Sequence, residues 1–145
     1  MYLTNRMKVL LGLDIEVLPR ISHDEFLEIF KKSRIYIGLS ESDGLSTSMV
    51  EAMTYGCFPI QSINSAAPLF IEDGVSGFIV DPWDIQKIRE SIRVSLTNNM
   101  LLEKAQITNQ EVIRKKYNWK TGLCRIEELY ELCLSINKLQ LDNKL

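Results

Sequence analysis

Two carboxylates, Asp43 and Glu51, stand eight positions apart, and between them lie Gly44, Leu45 and three small hydroxyl residues, Ser46, Thr47 and Ser48. An ionised carboxylate accepts two hydrogen bonds from a diol, so such a pair suits sugar hydroxyls. A helical pattern starts within this run, and its first turns hold Glu51. Just upstream, Arg34 to Ser40 reads as a buried strand. A strand, a short glycine-bearing turn and a helix in that order aim unpaired backbone N–H groups and the positive end of a helix dipole at one point. That is an anion site, and the usual biological anion there is a phosphate. Each residue alone has a plainer reading. Asp43-Gly44 is a common turn dipeptide, and Ser46, Thr47 and Ser48 are ordinary helix caps. Glu51 alone fits a solvated helix position, but Val50, Ala52 and Met53 make its neighbouring faces apolar and put it at a buried boundary.

The elements that must position these groups alternate along the chain. Tyr2 to Leu11 reads as a short helix and Ile15 to Leu18 as a strand. Asp24 to Lys32 is an amphipathic helix, opened by a capping box in which Ser22 caps and Glu25 reaches back. His23 then falls in the first turn, at the surface. Ile35 to Leu39 is a strand with almost no polar residue, the pattern of a parallel strand covered on both faces. Thr47 to Tyr55 is a helix, with Gly56 at its left-handed C-terminal cap. Phe58 to Gln61 is a strand, Pro68 to Glu72 a short helical turn, and Gly77 to Val80 a strand. Three helices follow, Asp84 to Leu96, Met100 to Lys116 and Trp119 to about Asn137, and the polar end from Lys138 frays. Such alternation implies an α/β fold: a parallel Rossmann-like sheet of about four strands, flanking helices and a helical C-terminal third. Ligands bind beyond the carboxyl ends of such strands. Three loops, at Arg20-Ile21-Ser22, Asp43 to Ser46 and Ser62 to Ser65, could converge there.

The 145 residues, 46% of them hydrophobic, make one domain with a real core. A net charge of −2 gives no argument for nucleic acid or an acidic membrane surface as a partner, and no nucleic acid is expected. No apolar run approaches the roughly 20 residues that span a bilayer. Asn5, Arg6 and Lys8 interrupt the N-terminal apolar face where a signal peptide would be continuous. A cytoplasmic location is the expectation. Cys57, Cys124 and Cys133 lack metal-ligand spacing and read as buried, reduced thiols. No Asp-x-Asp pair is present.

The run from Asp43 resembles the signature of the group 1 glycosyltransferases, retaining enzymes of the two-domain GT-B type. In their C-terminal domain a Glu, seven residues and a second Glu precede Ala-Met, a glycine and Pro-Val or Pro-Ile. Here the pattern is Asp43, seven residues, Glu51-Ala52-Met53, Gly56 and Pro59-Ile60. Glu72-Asp73-Gly74-Val75-Ser76-Gly77-Phe78-Ile79-Val80-Asp81-Pro82 resembles the glycine-bearing strand that follows. Tyr117-Asn118-Trp119 resembles the step before the last helix. Asp43 departs from the usual Glu and shortens its reach by one methylene.

The resemblance implies a donor-binding domain and a UDP- or GDP-sugar as substrate with no separate cofactor, and without an Asp-x-Asp pair a divalent ion need not be protein-bound. Glu51 would hold the ribose hydroxyls and Asp43 the hydroxyls of the transferred sugar, the two being the catalytic pair. Amides of Gly44, Leu45, Ser46 and Thr47, with the hydroxyls of Ser46, Thr47 and Ser48, would bind the donor's sugar hydroxyls and diphosphate. Arg20 and Ile21 fall where the family's base-binding loop lies. The reaction would move a hexose to an acceptor glycan or glycolipid with retained configuration. The full-length enzyme would sit in the cytoplasm or peripherally at a membrane. By the same resemblance, residues 1–145 are a single partial domain. Its helical region covers about 84–137 and its frayed tail 138–145. Two strand–helix units with the cations that clamp the diphosphate, and an acceptor-binding N-terminal domain, would be missing partners. Alone, the piece would transfer no sugar, and an open apolar sheet edge would favour a homo-oligomer. The competing class is a non-catalytic binding or assembly module that kept the fold. A flavodoxin-like domain would need an Asp cluster or hydroxyl loop after the first strand, and Pro19-Arg20-Ile21 offers neither.

Overall fold

A computed structural model of the chain describes residues 8–12 and 14–142. Its sheet has three parallel strands in the order β1 (Ile35–Gly38), β2 (Phe58–Ser62) and β3 (Phe78–Val80). Ile35 pairs with Phe58, and Ile60 with Phe78. Helix α1 (His23–Lys32) precedes β1, and α2 (Thr47–Thr54) links β1 to β2. A single 3₁₀ turn (Ala67–Leu69) precedes β3, and α3 (Ile85–Thr97), α4 (Asn99–Lys116) and α5 (Trp119–Asp142) complete the chain.

The α/β class and parallel order agree with the sequence, but the described residues form three strands. Residues 15–18 join no strand. Ile15 and Val17 are half-buried while Glu16 and Leu18 are exposed. The segment therefore has a strand's alternation without a ladder, and period two reports an extended segment rather than a partner for it. Pro19 follows at once and cannot donate a backbone hydrogen bond. Of the expected first helix, residues 8–11 are helical, and residues 2–7 lie outside the described residues. The last helix continues through the expected fray to Asp142.

Local chemistry sets most boundaries. The Ser22 hydroxyl oxygen accepts from the Glu25 N–H at 3.3 Å, and the Glu25 carboxylate accepts from the Ser22 N–H at 2.8 Å. The hydrogen bonds donated to it by the Ser22 hydroxyl and the Ser22 N–H hold the Glu25 carboxyl below its ordinary range. Asp84 caps α3 by accepting from the Lys87 N–H at 2.9 Å. Gly56 leaves α2 at φ +92°, and a Cβ there would stand 2.6 Å from Gln106 Nε2. Gly56→Ala should lose on the order of 1–3 kcal/mol, because a side chain in the left-handed region is strained even if Gln106 moves aside. An unchanged urea midpoint would contradict this.

Both faces of the sheet are covered over β2, which is buried along its whole length. On one face Met49, Val50 and Met53 of α2 pack with Ala67, Ile71 and Ile113. On the other, Phe58, Ile60, Phe78 and Val80 meet Ala105, with Ile88 and Ile92 against them. Helix α1 anchors through Phe30, buried with Ala52 and Cys57.

Two expectations of burial fail, for one reason. Strand β1 is an edge strand, and Ile37 and Leu39 are 44% and 42% exposed. Cys57 is buried, donates to the carbonyls of Phe30 and Ser33, and has its thiol pushed up by burial. Cys124 and Cys133 are instead exposed, because residues 119–136 of α5 are exposed throughout. In both places the apolar pattern is present, but no element among the described residues covers it.

Candidate functional site

Helix α2 presents the candidate residues at the carboxyl end of β1. Ser46 is its N-cap, and the Ser46 hydroxyl oxygen accepts from the Met49 N–H at 3.3 Å. The first helical bond runs from the Val50 N–H to the Ser46 carbonyl. The N–H groups of Thr47 and Ser48 therefore have no acceptor within the helix, as first-turn amides must. Glu51 stands four residues after Thr47 and three after Ser48, so all three share one helix face. Met49, Val50, Ala52 and Met53 occupy the buried face. Glu51 is left half-buried at its edge, the boundary position its neighbours imply.

The loops after β1 and β2 are tied together. The Asp43 N–H donates to the Asn64 carbonyl at 2.9 Å, and the Ala66 N–H to the Gly44 carbonyl at 3.0 Å. The Ser40 N–H donates to the Ser62 hydroxyl oxygen at 3.2 Å. Asp43 and Gly44 remain exposed, and Leu45 turns in against the core beneath α2. The Tyr36 hydroxyl lies 3.3 Å from Ser46 Oγ and links the cap to the strand below it.

The third loop arrives through a residue that the sequence places only at the surface. His23 is exposed, yet its Nε2 lies 3.3 Å from Glu51 Oε1. Arg20, exposed, and Ile21, half-buried, stand three and two residues before it on the approach to α1. The contact joins groups 28 positions apart, and no local pattern signals it. A polar cavity of about 330 Å³, lined by Lys31, Arg34, Asn99 and Glu103 among others, holds none of the candidate residues. Among the described residues no cluster of His, Cys, Asp or Glu is placed to hold a metal. No described helix is long and apolar enough to cross a membrane.

The sequence profile of the family described as "Glycosyl transferases group 1" matches residues 5–116. The chain belongs to this family. The group 1 domain is 26% identical over 113 residues to an uncharacterised glycosyltransferase of Methanocaldococcus jannaschii, covering 77% of this chain and 29% of the relative. It is 23% identical over 140 residues to the phosphatidylinositol N-acetylglucosaminyltransferase gpi3 subunit of Schizosaccharomyces pombe, covering 97% and 30%. The chain thus spans about a third or less of the curated relatives it matches. Among solved structures, the group 1 domain resembles sucrose-phosphate synthase of Thermosynechococcus elongatus at a TM-score of 0.82 and 16% identity, covering 92% of this chain and 34% of that one. It also resembles the C-terminal domain of a group 1 glycosyl transferase from Francisella tularensis at a TM-score of 0.70 and 23% identity, covering 81% and 61%. These likenesses carry the GT-B fold of the C-terminal domain.

Proposed function

We propose that this group 1 domain binds a UDP- or GDP-sugar for transfer of a hexose to an acceptor hydroxyl with retained configuration. The observation that supports this most is the placement of Glu51 one turn below the unpaired Thr47 and Ser48 amides, with Asp43 on the loop that leads to them. Glu51 takes the ribose hydroxyls, and Asp43 those of the transferred sugar. The amides of Gly44, Leu45, Ser46 and Thr47 and the Ser46, Thr47 and Ser48 hydroxyls face the sugar and diphosphate. Arg20 and Ile21 border the base. In the transfer the bond from the anomeric carbon to the diphosphate breaks, and a bond to the acceptor oxygen forms. The acceptor's proton leaves with the diphosphate. Oriented amides stabilise the charge that develops on the departing oxygen.

Residues 1–145 are one partial donor-binding domain in this reading, and the acceptor glycan or glycolipid meets a second domain. The isolated chain then transfers no sugar, and measurable transfer by it would overturn that view. The open edge of β1, with Ile37 and Leu39 beside it, favours pairing of two copies. The working compartment is the cytoplasm, at the membrane for a glycolipid acceptor.

Titration calorimetry with UDP, GDP and their sugar conjugates tests the assignment. Asp43→Asn should weaken binding of the sugar-bearing donor roughly tenfold, the value of one charged hydrogen bond, and bind the bare nucleotide almost as before. An equal loss for both would contradict the role given to Asp43.

A further inference from the structure

We propose that His23 is a positioning residue that sets the Glu51 carboxylate for the ribose diol. This rests on the donor-site reading above. The His23 Nε2 lies 3.3 Å from Glu51 Oε1. At that separation an Nε2–H turned toward Oε1 can donate, and a carboxylate oxygen accepts. His23 opens α1, where its backbone is held by the Ser22–Glu25 capping box. The helix behind it is anchored by Phe30, which packs with Ala52 of α2 and edge-on to Tyr36 of β1. The backbone that carries the imidazole is therefore held in place beside Glu51.

Two other charged groups on α1 have partners of their own. Lys31 pairs with Glu28 at 2.5 Å, and the Glu25 carboxylate is taken by Ser22. Asp24, also on the first turn, is an anion and cannot donate to Glu51. Among the described residues, the His23 imidazole is the basic side chain within reach of the Glu51 carboxylate. A carboxylate accepts about four hydrogen bonds, so one donated by His23 would leave Oε2 and a share of Oε1 open to two ribose hydroxyls. The imidazole fixes a flexible side chain before the ligand arrives, which lowers the ordering cost of binding. As a fold contact the pair matters little. His23 is 63% exposed, and exposed pairs contribute little to stability. Its effect should appear in recognition of the ribose.

The test is calorimetric titration of the chain with UDP, GDP and their 2′-deoxy counterparts, for the wild type, His23→Ala, His23→Gln and Glu51→Gln. Because His23 acts on the ligand only through Glu51, His23→Ala should weaken the ribonucleotide by roughly three- to tenfold, the scale of a typical net hydrogen bond, and leave the 2′-deoxynucleotide almost unchanged. His23→Gln, whose amide N–H can still donate, should recover most of the loss. The thermal midpoint should be the same for all four proteins. An unchanged ribonucleotide affinity in His23→Ala, or equal losses for ribo- and deoxyribonucleotide, would overturn the role of His23 while Glu51→Gln still removes the ribose preference. A ribose preference that survives Glu51→Gln would overturn the donor-site reading and this inference together.

Discussion

Glu51→Gln is expected to weaken UDP or GDP binding by roughly ten- to a hundredfold, since a hydrogen bond to a charged group is worth about 1.5–3 kcal/mol. The substitution keeps size and helix propensity while replacing a charged acceptor by a neutral amide. One of the two oxygens that would receive the diol becomes an NH₂ donor, which faces ribose hydroxyls without a carboxylate to accept from them. The loss falls on binding and spares the fold. Glu51 lies outside the buried face formed by Met49, Val50, Ala52 and Met53, and its side chain is 30% exposed. Partial solvation screens the charge and moves the expected effect toward the lower end of the range. Equal calorimetric affinities for wild type and variant would remove Glu51 from the site.

Phe58→Ala should cost about 3–5 kcal/mol of stability, the range for emptying a buried aromatic position. Phe58 is 1% exposed, on the strand with neighbours on both sides. Its ring meets that of Phe78 edge to face at 5.4 Å. Removing it leaves a cavity bounded by Ile60, Val80 and Ala105, whose backbones are held by the sheet and α4 and collapse only in part. Domains are stable by about 5–15 kcal/mol in total, so this one change uses a large share. The site should suffer with it. Strand β2 ends at Ser62, and the loop beyond it holds Asp43 through the Asn64 carbonyl and Gly44 through the Ala66 N–H. Urea titration measures the loss, and a change below about 1 kcal/mol would contradict the central place of Phe58 in the core.

The features legible from the chain are those whose causes are local. A Ser-x-x-Glu spacing makes the capping box at Ser22 and Glu25 because both partners lie within one turn. Ser46 caps α2 because its hydroxyl reaches the amide three residues on. Gly56 turns out of α2 with positive φ because it alone lacks the Cβ that this conformation opposes. These devices set where α2 begins, and hence which amides face outward and where Glu51 sits one turn below. Alternation of apolar segments with helical ones was enough for parallel strands and for loops that meet beyond their carboxyl ends. The order of Asp43, Glu51, Gly56 and Pro59 was enough for the family.

What the sequence by itself determined, then, is the local frame: the caps, the turn at Gly56, the outward amides at Thr47 and Ser48 and the family they signal. Only the tertiary structure decided which extended segments pair and which apolar faces are covered. Ile15 to Leu18 alternates like a strand but joins none, because a ladder needs a partner as well as a pattern. Ile37, Cys124 and Cys133 have apolar neighbours in sequence yet lie exposed, because burial depends on what stands opposite. The approach of His23 to Glu51 was likewise decided in three dimensions. The packing of Phe30 against Ala52 sets α1 beside α2 and brings two first-turn and second-turn side chains together across 28 positions of chain.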